Sequence, residues 1–206
     1  ALAVTSVFAS SAWATNGYAP HGIGQKSKGM GGVGIALPQD SLAGGVNPAG
    51  MVLVGNRLDV GVEWFRPIRD AEITGNMDPR NNRSYDGSDT KNFFIPEFGY
   101  NHMVNDKLSL GVSVFGSGGM NTSYAAPGVG FFNGHNGNKT GIDLIQLFVV
   151  PTISYKINDQ HSIGVGINLA GQWFRAQGLD GFKGASSSPT NLTDNGHDSS
   201  YGAGLR

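Results

Sequence analysis

Apolar side chains recur at every second position in five runs of this chain. They are Leu58, Val60, Val62, Trp64; Phe94, Pro96, Phe98, Tyr100; Leu108, Leu110, Val112, Val114; Ile145, Leu147, Val149, Pro151, Ile153, Tyr155; and Ile163, Val165, Ile167, Leu169. Successive side chains of a strand point to opposite faces, so a period of two builds one wholly apolar face, whereas a helix scatters the same residues around its axis. The residues between them are mostly glycine, serine or other polar types, so each run reads as a β-strand with two unlike faces. Each run extends for about ten residues, the length a tilted strand needs to cross a bilayer. Strands are expected over 57–66, 93–103, 108–117, 141–156 and 161–174, and a sixth run begins in 198–206. Pro96 and Pro151 each remove a ladder donor, which weakens the pattern locally.

The connections separate a membrane barrel from a soluble sandwich. VNDKLSLGV, from Val104, and INDQHSIGV, from Ile157, are nearly the same phrase, and each supplies a tight turn followed by a strand. The stretches 67–92, 118–140 and 175–197 are long, polar and rich in Gly, Asn and Ser. Short and long alternate strictly, as in outer-membrane barrels with short periplasmic turns and long extracellular loops. Tyr100 and Tyr155 fall on the apolar face just before the short turns, where an interfacial aromatic girdle would sit. A sandwich supplies alternation and Asn-Asp turns as well, but not this one-sided loop asymmetry. The fold class read from the chain is therefore all-β, a transmembrane antiparallel β-barrel. Closed single-chain barrels of this class have about eight strands or more, so residues 56–206 read as the opening strands of a longer barrel, truncated at both ends.

Composition agrees and excludes several functions. Thirty-three glycines in 206 residues and 14% charged residues depart from a globular norm of about 7% and about 25%. Net charge is −1 and the basic residues are scattered, so the footprint of a nucleic-acid partner is missing. There is no cysteine, hence no thiolate metal site or thiol nucleophile. The histidines, His21, His102, His135, His161 and His197, are dispersed, and no G-x-S-x-G, H-E-x-x-H, EF-hand or Walker spacing occurs. Gly29, Gly31 and Gly34 match G-x-G-x-x-G, but KSK precedes them and Pro38 follows, so the strand and helix a nucleotide site requires are absent. An enzyme ranks last among the functions, and no cofactor or metal is expected. Residues 1–14, ALAVTSVFASSAWA, end in an Ala-Trp-Ala of A-x-A form and read as the tail of a secretory signal.

Residues 15–55 show neither strand alternation nor sustained helical period. A glycine-dense stretch ahead of the first strand is expected to fold as a plug in the lumen, where backbone packs closely and turns often. Lumen-facing positions near the short turns are polar: Arg57, Asp59, Asn101, Ser109, Thr152 and Ser154. Toward the long loops they become Phe65, Phe93, Ile95, Phe115, Leu144, Phe148 and Phe174. Either these line a greasy substrate cavity, or one-residue bulges turn them outward into an upper aromatic girdle. Arg175 is either a carboxylate anchor or an ordinary rim arginine, and Glu63 and Glu97 either hold plug cations or form simple wall pairs. The apolar loop YAAPGVGFF, 124–132, reads equally as a docking patch for hydrophobic substrate or as packing between loops.

Gly29, Gly31 and Gly32, the acidic LPQDS, then Asn47-Pro48-Ala49 and a strand, with PEFGYNHMVNDKLSLGVSVFGSGGMNTSY after it, resemble the FadL/TodX outer-membrane transport family over essentially all of 15–206. The resemblance implies a fourteen-stranded barrel whose N-terminal hatch, closed by the Asn-Pro-Ala element, plugs the lumen. It implies passive uptake of long-chain fatty acids, alkanes or aromatic hydrocarbons by a monomer seated in outer-membrane lipid. It also implies a kinked third strand that opens the wall sideways, at the place where Gly116, Gly118 and Gly119 stand. Those glycines either form that kink or begin a loop. A general diffusion porin and a surface-binding barrel are the alternatives, and a general porin has little use for an N-terminal plug.

Overall fold

The computed structural model describes residues 19–125, 139–187 and 196–206. The proposed signal residues 1–14 and most of the loop 124–132 lie outside them. Eight strands are present among the described residues: β1 Arg57–Phe65, β2 Asp70–Glu72, β3 Ser84–Asp86, β4 Phe93–Asn105, β5 Leu108–Tyr124, β6 Thr140–Lys156, β7 Ser162–Gln177 and β8 Asp198–Leu205. Six of them form one antiparallel sheet in the order β1-β4-β5-β6-β7-β8, and β2 and β3 pair in a small hairpin of their own. No described helix is long and apolar enough to cross a membrane.

The alternation that marks the strands also sorts their two faces. Leu58, Val60, Val62, Trp64, Ile153, Tyr155, Ile163, Val165, Ile167 and Leu169 are exposed on one face, together with Tyr100. Arg57, Asp59, Asn101, Ser109, Ser113, Thr152 and Ser154 lie on the other. The two similar turn phrases fold alike. Asn105 Oδ1 accepts from Lys107 N at 2.9 Å and Leu108 N at 3.0 Å, and Asn158 Oδ1 accepts from Gln160 N and His161 N at 2.9 Å. Each asparagine thus closes its own turn with its side chain.

The strands run further toward the long-loop end than expected. β5 continues to Tyr124 rather than stopping at residue 117, β7 reaches Gln177, and the 67–92 connection contains the β2–β3 hairpin. The pairs Gly116↔Leu147 and Gly118↔Gln146 leave Ser117 unmatched, a bulge that exchanges the faces of β5. Phe115 below it shares a face with Ser113, and Met120 above it pairs with Leu144 on that same face. The apolar period is lost there while the ladder to β6 is kept. Between β6 and β7 the pairing lapses after Val149↔Leu169 and resumes at Thr152↔Gly166 in the same register, beside Pro151, which brings no N–H.

The N-terminal segment packs on the polar face of the sheet. It contains a short helix α1, Gln25–Gly29, and two 3₁₀ turns, Ala43–Gly45 and Pro48–Leu53. The turns contact β5, β6 and β7. Leu42 (2% exposed) and Met51 (0%) are its buried apolar anchors, each stabilising by roughly 1.5–3 kcal/mol.

Candidate functional site

The segment is fastened to the sheet in two chemically different ways. Around the second 3₁₀ turn the bonds are mostly neutral. Asn47 caps that turn by accepting from Ala49 N at 3.2 Å, and its Nδ2 donates to Ile35 O at 2.7 Å. Pro48 takes the first helical position, where a missing N–H costs nothing. Ala49 O then accepts from Ser154 Oγ at 3.1 Å and Ser162 Oγ at 2.9 Å. Asn101 Nδ2 donates to Met51 O at 2.8 Å and Gly55 O at 2.9 Å. Ser113 Oγ donates to Ser41 O at 2.7 Å. The small wall residues make this approach possible: a Cβ on Gly164 would stand 2.4 Å from the carbonyl carbon of Pro48.

Toward β1 and the upper part of β4 the fastening is ionic. Lys28 pairs with Glu63, Lys26 Nζ lies 3.7 Å from Asp59, and Gln25 N donates to Glu97 Oε1 at 3.1 Å. Asp59 also accepts from Ser41 N at 3.0 Å, from Ser41 Oγ at 2.6 Å and from Arg57 Nε at 2.7 Å. Glu63 and Glu97 therefore both meet the segment. Gly29 ends α1, and Gly31 (φ 70°) and Gly32 (φ 92°) turn the chain after it. A Cβ on Gly32 would run into His21 O, so the turn requires glycine.

Between β4 and β5 the wall loses its backbone ladder. Pairing climbs from Asn105↔Leu108 to Phe98↔Val114 and ends there. Above that point Phe93–Glu97 pair with β1 alone, and 115–124 pair with β6. Pro96 supplies no N–H to this stretch, and the bulge at Ser117 stands across from it. The side chain of Ile95 spans the gap: a Cβ on Gly116 would lie 2.8 Å from Ile95 Cγ2. Gly116 and Gly118 flank the bulge, and Gly119 pairs with Ile145 above it.

The apolar candidates all share the segment's face of the sheet, in three groups. Phe65 and Phe93 are cross-strand neighbours with centroids 6.4 Å apart, and Ile95 follows on β4. Phe115 and Phe148 stack at 5.8 Å. Phe115 is 3% exposed because a glycine at position 45 lets the segment lie against its ring; a Cβ there would come 2.3 Å from it. Leu144 and Phe174 pair farther up β6 and β7. Phe115 thus packs under the N-terminal segment, while Phe65, Phe148 and Phe174 retain open surface. Arg175 occupies the opposite face, 3.9 Å from Asp143, a carboxylate that also meets His197 Nε2 and Asn121 Nδ2 at 2.8 and 2.9 Å. A substrate carboxylate would have to compete with Asp143 for it. Among the described residues no group of three or more His, Asp or Glu could hold a metal ion.

Residues 1–198 match the family described as Outer membrane protein transport protein (OMPP1/FadL/TodX). The chain belongs to this family. Its members are transport proteins of the bacterial outer membrane and not enzymes. The fold is similar to that in "Crystal structure of a Pseudomonas aeruginosa FadL homologue", with a TM-score of 0.53 and 16% identity. That match covers 84% of this chain and 44% of the Pseudomonas aeruginosa chain, so the sequence spans under half the length of its structural relative. No curated protein sequence matches.

Proposed function

We propose that the chain forms the first part of a monomeric fourteen-stranded barrel with residues 15–55 as its hatch, and that the barrel takes up long-chain fatty acids, alkanes or aromatic hydrocarbons passively. The observation that carries the reading is the wall between β4 and β5, where the ladder stops at Phe98 and Val114 while both strands continue. An unpaired edge is costly in lipid. It is tolerated where it is buried in protein or lines a water-filled opening, and here only the side chain of Ile95 stands across it. Substrate enters between the long loops, rests on Phe65, Phe93, Phe148 and Phe174, and leaves sideways past Ile95 and Gly116. Each contact must be weak enough to release to the next. The neutral clamp around Asn47-Pro48-Ala49 favours this over a general diffusion porin, because a water-filled pore gains nothing from a fastened plug.

The chain has no cysteine, so one engineered pair can staple the gap. The full-length double variant Ile95→Cys/Gly116→Cys, in liposomes, should take up a fluorescent long-chain fatty acid when reduced and lose uptake when oxidised. An oxidised protein that transports normally would rule out the side route. Wild-type protein that neither binds the fatty acid saturably nor takes it up would rule out the transport reading.

A further inference from the structure

The first long connection comes back to the wall and closes the top of the gap. Ser88 bridges Ser123 of β5, Ser123 N donates to Gly87 O at 2.9 Å, and Asp89 N donates to Ser123 O at 3.1 Å. Arg69 is central to this return. Its N–H donates to Ser88 Oγ at 2.7 Å, and its carbonyl accepts from Ser88 Oγ at 2.8 Å and Gly87 N at 2.9 Å. Its Nη1 donates to Asn121 O and, at 2.8 Å, to Asn121 Oδ1, and its Nη2 to Thr90 O. The guanidinium carbon lies 5.8 Å from the centre of the Phe93 ring.

Every acceptor of that guanidinium is neutral. None of the ion pairs among the described residues includes Arg69, and its Nε is buried without an acceptor. Arginine brings five N–H donors, so part of its fork remains unmatched. Burial holds its pKa below the ordinary value, with Tyr124 and Asp86 acting in the other direction. A partly buried cation whose guanidinium meets only neutral hydrogen-bond acceptors favours an anion that reaches it.

Its position says which anion. Arg69 stands at the loop end of the gap, and Phe93, Ile95 and Phe115 lie below it, toward the short turns. An amphiphile entering the outer leaflet keeps its head at the water surface and its tail in hydrocarbon, which is the order of polar and apolar groups along this edge. We propose that Arg69 reads the head group of the substrate at the side opening, so that the opening prefers long-chain carboxylates over neutral hydrocarbons of the same length. The assignment rests on the side-exit route and deepens it.

The test compares wild type, Arg69→Gln and Arg69→Lys, each as full-length protein in phosphatidylcholine liposomes, which contribute no anionic lipid. Uptake of a long-chain fatty acid is measured beside uptake of the alkane of equal chain length. A charged hydrogen bond of roughly 1.5–3 kcal/mol predicts that Arg69→Gln raises the KM for the fatty acid by about tenfold or more, leaves alkane uptake unchanged, and is largely rescued by Arg69→Lys. If both substrates fall together in Arg69→Gln and Lys restores neither, Arg69 only frames the opening and the assignment fails. It fails also if fatty-acid uptake is unchanged, which would leave a lipid phosphate as the ion it meets. If the Ile95/Gly116 staple does not block uptake but the head-group effect persists, the side route fails and the placing of Arg69's selectivity at a side opening is overturned with it. Wild-type protein that carries neither compound overturns both.

Discussion

A side chain at position 164 would collide with the peptide between Pro48 and Ala49, whose atoms lie 2.4 to 2.7 Å from the place a Cβ would take. Backbone cannot swing aside as a long side chain can. Gly164→Ala should therefore destabilise the full-length protein by about 1–3 kcal/mol, and Gly164→Val by more. Gly29→Ala, where nothing lies within 4 Å, should be neutral or slightly stabilising, because alanine exceeds glycine in helix propensity by up to about 1 kcal/mol. Urea midpoints of the three variants in detergent would show the ordering; equal midpoints would mean that 48–49 do not seat against β7. Residues of this kind differ in how far the sequence betrays them. Asn47-Pro48-Ala49 stood out only through the family resemblance, and its capping role shows in the structure, where Asn47 accepts from Ala49 N. Arg69 cannot be read directly, since its partners Asn121 and Phe93 are distant in sequence and meet it only when the connection folds back. Arg175 looked equally available, and only the register across to Asp143 shows that it is engaged.

Among the elements, the short N-terminal helix and β1 meet through charge, Lys26 with Asp59 and Lys28 with Glu63. Asp40 is buried beside them and accepts from Leu42 N at 3.0 Å. Burial, ahead of the opposing Leu42 hydrogen bond, raises its pKa above the ordinary 3.8. The folded state thus holds this proton more tightly than the unfolded chain does. The associated stability is complete below the ordinary value and is lost as pH rises through the raised one. Asp40→Asn, which keeps an oxygen for Leu42 N, should be more stable than wild type at neutral pH, and the difference should close as pH falls into the carboxylate range. Urea midpoints across that range test it; a constant difference would remove Asp40 as the source. At this scale the strands were legible because one apolar face repeats every second residue. Their upper ends were not. The bulge at Ser117 exchanges the faces of β5, so GSGGMNTSY reads as a loop although it stays paired with β6. β2 and β3, of three residues each, are too short to show a period.

Across the whole molecule, the exposed apolar face has a measurable height. From Tyr155 to Ile145 the outward positions of β6 are Ile153, Pro151, Val149 and Leu147, about 25 Å of membrane normal at the usual strand rise and tilt. Tyr100 and Tyr155 edge it at the short turns. Trp64, and Trp173 edge-on to Tyr201 at 6.4 Å, edge it at the long loops. Ile167→Arg, set within this band, should cost about 2–4 kcal/mol of folding free energy in liposomes; a loss below about 0.5 kcal/mol would mean that the face does not meet hydrocarbon. The opposite face carries a different demand. With Gly164 flush against the peptide of Pro48 and a glycine at position 45 flush against Phe115, residues 45–49 have no clearance in which to slide along a finished wall. The order of assembly is constrained accordingly: the first stretch of chain has to be in place when β5, β6 and β7 zip together, so that the strands are laid like staves around a former instead of being closed into an empty cask and corked.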